Sequence, residues 1–246
     1  MYVTAIVTPV VRPSTWDLFD LIAKHVPTFA EGSVLAVTSK VVSLCEGNVI
    51  PVGEGDKDKI IESEADLFLP RTGSKYNVYL TIKGNMLAPS AGVDESNTDG
   101  HYVMWPKDPQ ASANQCWTFV RDRFKVRAAG VVITDSTSMP LRRGVTGRCI
   151  AYCGFAGINS KIGEPDLFGR KLRMTKVNVA DALAASAVLC MGEANEQTPL
   201  ALIQDLPFVS FSDSPPSQDE LAELRIDIED DLYAELLRNA KWRKHD

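Results

Sequence analysis

The chain has 246 residues, 45% of them hydrophobic and 24% charged, which is enough apolar material for one large domain or two closely joined ones and too much for a disordered chain. A formal net charge of -6 gives no general attraction to nucleic acid or an anionic membrane, so neither is expected as a partner, and a polyanion would need a local basic site such as Arg142 with Arg143. No apolar run approaches the roughly 20 residues of a membrane span, residues 1–9 lack the marks of a secretory signal, and the 5 cysteines suit buried free thiols in a reducing compartment, so the expected location is the cytoplasm.

Residues 3–10 carry the pattern of a β-branched strand, 15–26 that of an amphipathic helix opened by Ser14 or Thr15, and 33–43 that of a buried strand interrupted by Thr38, Ser39 and Lys40. A Ser-Lys pair there either satisfies local backbone groups or holds phosphate oxygens. Residues 53–59 read as a loop, followed by a short helix to about Ala65, and the alternation over 76–82 and 86–89 predicts a hairpin. Residues 89–97 are too polar and glycine-punctuated for core. The spacing over 108–124 predicts a helix with Pro109 in its first turn. Residues 128–134 read as a central strand that delivers Asp135 and Ser136 at its end, with a further strand near 148–153, a helix over 178–191 ending at Gly192, and a strand over 200–203.

After residue 213 the composition turns acidic and predicts one helix over 217–241, capped by Ser217 with Glu220 three places on. Its stripe of Leu221, Leu224, Ile228, Leu232 and Leu236 would pack on the body or on a second subunit. The chain thus divides into a catalytic region, 1–213, and an acidic C-terminal helix, 214–246.

Three acidic positions fall on separated turns: Asp94 with Glu95, Asp135, and Glu193. Hard cations such as Mg2+ or Mn2+ take oxygen ligands, and carboxylates gathered from several loops leave coordination positions open for phosphate oxygens. Acidic residues in loops are more often simply solvated, so the pattern by itself leaves both readings open.

Residues 91–97 (AGVDESN), 131–136 (VVITDS) with 140–147 (PLRRGVTG), 166–170 (DLFGR) and 180–192 (ADALAASAVLCMG) resemble, in order, the signature blocks of the coenzyme F420-0 gamma-glutamyl ligase family. Residues 32–47 supply its N-terminal block, and the resemblance runs from about residue 5 to 204. It implies an α+β fold of mixed and antiparallel sheets with packed helices, in an intertwined homodimer. It further implies that Asp94 and Asp135 bind Mg2+ or Mn2+, with K+ as an additional cation. Glu193 matches a position that is usually glutamine and also touches metal. GTP is the implied co-substrate, contacted by Asn97 and Ser136, with Ser39 and Lys40 in the same pocket. The implied nucleotide-binding stretches are Thr8, Pro9, Val10 and Val11, and then Met191, Gly192, Ala194, Asn195, Glu196, Gln197 and Thr198.

The implied reaction forms a gamma-glutamyl amide between a small-molecule carboxylate and L-glutamate through an acyl phosphate, with Lys40, Arg142 and Arg143 as the cations that neutralise charge on the phosphoryl group. Departures from the family pattern leave the acidic positions intact. Leu44 stands where a basic residue is usual, Lys83-Gly84 where His-Gly is common, and Ser136-Thr-Ser-Met139 where the family carries Thr-Phe-Gly-Arg. These bear on the acceptor, for which a folate is the alternative to F420-0. A nucleotide-binding homologue without turnover is the reading from a different class.

Overall fold

Three apolar runs stack at the centre of one sheet and are buried on both faces, which is why they read as continuous rather than alternating. A computed structural model describes residues 1–71 and 75–245. In chain order the elements are β1 (Tyr2–Ile6), α1 (Leu18–His25), β2 (Ser33–Thr38), α2 (Ser39–Glu46), β3 (Val49–Pro51), α3 (Lys57–Glu64), β4 (Leu67–Leu69), β5 (Leu80–Lys83), β6 (Met86–Pro89), β7 (His101–Val103), α4 (Pro109–Phe124), β8 (Ala129–Ser138), β9 (Val145–Cys153), β10 (Ile158–Ser160), β11 (Lys176–Asn178), α5 (Val179–Met191), β12 (Leu200–Gln204), α6 (Gln218–Glu223) and α7 (Ala234–Asn239).

The main sheet runs β1-β12-β2-β8-β9, antiparallel except for the parallel pair β2/β8. Alternate residues feed two cores. Leu35, Val37, Val131, Ile133, Leu200 and Leu202 meet α1, α2 and α4 on one face, while Val34, Ala36, Val132, Ala201 and Ile203 meet α5 on the other. A third, smaller cluster around Ile61, Phe68, Tyr79 and Val93 joins α3 to the hairpin β5/β6 and its neighbour β4. The architecture is therefore α+β with mixed and antiparallel sheets, as the resemblance implies.

Local chemistry moves several boundaries. The first strand ends at Ile6 rather than at 10, because the chain turns and the Thr8 amide donates to Gln197 O at 2.9 Å. Asp17, not Ser14 or Thr15, caps α1 by accepting from the Phe19 and Asp20 amides. The buried strand predicted over 33–43 stops at Thr38, whose hydroxyl accepts from the Val41 amide at 3.2 Å and opens α2. Ser39 and Lys40 are consequently first-turn helical residues.

The single C-terminal helix is instead two short ones. The capping box of Ser217 and Glu220 forms as the pattern predicts, but residues 224–233 turn, in a run where Asp227 and Asp231 would repel at helical spacing. Leu221 and Leu224 pack on the α5-side core, whereas Leu232 is 89% exposed and the stripe is broken. The five cysteines are free; Cys116, Cys149 and Cys153 are buried, Cys45 is half-buried, and Cys190, against expectation, faces solvent. Among the described residues no helix is long and apolar enough to cross a membrane.

Close approach of α5 to β9 depends on Gly147. A Cβ there would stand 2.5 Å from Ala184 O and 2.7 Å from Val188 Cβ. Since neither atom can swing aside, Gly147→Ala is expected to cost about 1–3 kcal/mol, to be measured as a lowered urea midpoint at unchanged slope.

Candidate active site

The parallel pair β2/β8 sets Thr38 beside Thr134, so the residues that follow each strand, Ser39 and Asp135, arrive together. Ligands of sheets with parallel strands gather outside such carboxyl ends. Here the Ser39 hydroxyl lies 3.4 Å from Asp135 Oδ1. A cavity of about 540 Å³ opens at this point, walled by residues 8–11, the start of α2, β6, the turn around Asp94, the end of β8, part of β9 and residues 191–199.

Every residue assigned above to metal or nucleotide lines this one cavity: Asp94, Asp135, Glu193, Ser39, Lys40, Asn97, Ser136, the 8–11 turn, Met191, Gly192 and residues 194–198. Consecutive side chains of a strand face opposite ways. Asp135 accordingly points to one side of β8, while the Ser136 hydroxyl on the other donates to Glu193 Oε1 at 2.7 Å. Asn97 has a left-handed backbone, φ 54°, and its amide donates across to Ala194 O at 2.7 Å, so it ties the acidic turn to the loop after α5 rather than closing a local turn.

Asp94 is held from several sides. Its Oδ1 accepts from the Glu95 and Ser96 amides, and its Oδ2 meets Lys40 Nζ at 2.6 Å. Lys40 also donates to Ser96 O at 2.8 Å. Partial burial works to raise the Asp94 carboxyl, but the Lys40 charge and the Ser96 hydrogen bonds outweigh it and hold the group below the ordinary carboxylate range. Asp135 goes the other way. Burial pushes it up from 3.8 to about 6, against the pull of the Trp105 indole and the Ser136 amide.

Arg142 and Arg143 are not brought to the site. Strand β8 continues past Asp135 to Ser138 at about 3.3 Å per residue, and carries their turn outward into solvent. The arginine that does line the cavity is Arg148. Among the described residues no three Asp, Glu, His or Cys side chains stand close enough to share a metal ion as arranged, Asp94 being engaged by Lys40 and Glu193 by Ser136.

Two cavity residues escaped the sequence reading. Trp105 donates from Nε1 to Asp135 Oδ2 at 2.6 Å, and Gly92 (φ +72°) leaves room for it, since a Cβ there would sit 2.0 Å from that nitrogen. The available signal was general: a buried tryptophan needs a partner for its N–H. Lys83 lies behind this ring, its Nζ 5.2 Å from the centroid. Arg148 left no signal, because its facing depends on a local irregularity of β9.

The description "F420-0:Gamma-glutamyl ligase" belongs to the family model that matches residues 5–205. The chain belongs to that family. It is 35% identical over 214 residues to the coenzyme F420:L-glutamate ligase of Methanopyrus kandleri, covering 80% of this chain and 83% of that relative. The enzyme of the same name from Methanocaldococcus jannaschii is 32% identical over 214 residues, covering 78% and 83%. The cavity lies wholly within the family match, and α6 and α7 lie outside it. Membership makes this chain a ligase, an enzyme that forms a carbon–nitrogen bond.

The buried Asp135 carboxyl gives this gamma-glutamyl ligase a defined pH response. Its folded value is raised, so the folded chain holds the proton more tightly than the unfolded one, and that contribution is complete below about 4 and lost as pH rises through about 6. Urea unfolding of the metal-free protein should show stability falling over that window, and Asp135→Asn should flatten the fall.

Proposed function

We propose that this chain is a GTP- and divalent-metal-dependent ligase that joins L-glutamate to a small-molecule carboxylate, with F420-0 as acceptor, and that it works in the cytoplasm. The observation that carries the reading is the convergence of 18 family-assigned positions from five separate segments on one cavity. Relatives named for coenzyme F420 and L-glutamate support the acceptor and the amine donor.

The donor set suits a hard cation: carboxylates of Asp94, Asp135 and Glu193 with the hydroxyls of Ser39 and Ser136 beside them, and no cysteine thiolate or histidine imidazole among the lining residues. Asp135, whose carboxyl is poorly solvated and raised, is a group that a bound cation would ionise. Mg2+ or Mn2+ held there, with K+ as a further cation, would neutralise charge on the phosphoryl oxygens.

Chemically, a carboxylate does not accept an amine because oxide is a poor leaving group. In the proposed sequence an acceptor carboxylate oxygen attacks the γ-phosphorus of GTP, the bond to the β-phosphate oxygen breaks, and GDP leaves. The glutamate nitrogen then attacks the acyl phosphate carbonyl, inorganic phosphate departs, and the amine proton passes to solvent. Lys40, on the first turn of α2, provides a movable ammonium for the transferring oxygens. Asn97 and the Ser136 hydroxyl brace the nucleotide, and the 8–11 turn with residues 191–198 forms the remaining wall.

The expected result of incubation with GTP, Mn2+, L-glutamate and F420-0 is a product heavier by one glutamate residue; product only with a folate acceptor favours the alternative, and no product with either overturns both. Asp94→Asn and Asp135→Asn should each lower turnover about 100-fold or more, while Glu193→Gln should keep activity with a shifted metal titration.

The homodimer belongs to the same proposal. The arm that carries β10 and β11 leaves Leu167 97% and Phe168 94% exposed, an apolar surface suited to a second copy. Sedimentation should give a dimer that Leu167→Asp with Phe168→Asp converts to monomer.

A further inference from the structure

Strand β9 holds one residue more than β8 across their pairing. Ile133 faces Ala151, but the next residue, Thr134, faces Cys149, so Ile150 is bulged out of the ladder. A bulge reverses the facing of everything beyond it, because the side-chain period is two. Without it Asp135 would face Cys149; with it Asp135 faces Arg148, and the two side chains share one face of the sheet. Both Ile150 and Arg148 line the cavity as a result.

The electrostatics make the placement matter. The acidic side chains of the wall are Asp94, Asp99, Asp135, Glu193 and Glu196, and its cations are Lys40 and Arg148. Lys40 is paired with the Asp94 carboxylate. Among the described residues no carboxylate pairs with Arg148, whose guanidinium donates one hydrogen bond, from Nη1 to Leu87 O at 3.0 Å. That bond steadies the side chain against β6 and leaves N–H groups for a planar anion. On the side of β6 the wall is apolar, with Met86, Leu87 and Ile150 among its residues.

We infer that Arg148 is the specificity-determining residue for the acceptor, its guanidinium holding the acceptor carboxylate next to Asp135 while Met86, Leu87 and Ile150 receive the acceptor's apolar body. The inference rests on the ligase reading above. An anionic substrate brought into an acid-rich cavity needs a cation that is not already neutralised, and a guanidinium matches a carboxylate's two oxygens where an ammonium does not.

The test uses full-length Arg148→Ala and Arg148→Lys, with equilibrium dialysis of F420-0 and of a folate monoglutamate in one arm and GTP with Mn2+ in the other. Retention of the acceptor that the wild type binds should fall about tenfold or more in Arg148→Ala and by less in Arg148→Lys. GTP retention and, where turnover occurs, the KM for L-glutamate should stay unchanged. Unchanged acceptor affinity overturns the proposal alone. A fall in GTP affinity overturns it by assigning Arg148 to the nucleotide, and a parallel fall in all ligands overturns it in favour of a purely structural tie to β6. If Arg148→Ala does not fold, Arg148→Lys decides on the same readings. A wild type that retains GTP but neither acceptor overturns the proposal together with both named acceptors.

Discussion

The parallel register of β2 with β8 governs what can stand at the cavity floor. With Thr38 set beside Thr134, one strand hands over to a helix and the other runs on, so Ser39 and Asp135 meet at the same level. The register is not free to slip. Both faces of these strands are buried, and a shift of one residue would turn Leu35 and Val37 toward α5 and Val34 and Ala36 toward α1 and α4. Core packing therefore fixes the position of a polar site that contributes nothing to the core.

Around that floor, charge is arranged by neighbours rather than by composition. Two carboxylates in one cavity are driven in opposite directions: Asp94 is kept ionised by Lys40 and backbone amides, while burial raises Asp135 against the pull of the Trp105 N–H. Groups whose environments push them apart mark sites of chemistry. Lys40 meets both Asp94 and the Ser96 carbonyl, which ties the acidic turn to the first turn of α2.

The elements were legible to unequal degrees. Helix α4, with Asp108 and Pro109 at its start, and helix α5, capped by Asn178, carried start signals and apolar spacing that survived folding unchanged. The boundary of β2 was not legible, since Val41 and Val42 favour a strand as strongly as their predecessors, and only the Thr38 cap decides for a helix. The C-terminal stripe misled in the opposite sense: its spacing was helical, but the acidic run between residues 227 and 231 interrupts it.

In the site, the sequence by itself determined which residues are candidates for chemistry, the acidic positions at 94, 135 and 193 and the Ser39-Lys40 pair, and the family to which their order belongs. Residue type and order are properties of the chain and need no fold to be read. Only the tertiary structure decided which cations join them. Arg142 and Arg143 are carried away from the cavity by the length of β8, and Arg148 is admitted by a single bulged residue, Ile150. Trp105 reaches Asp135 because Gly92 has no side chain to block it. Facing and distance across strands are set by register and close packing, quantities that no single segment contains.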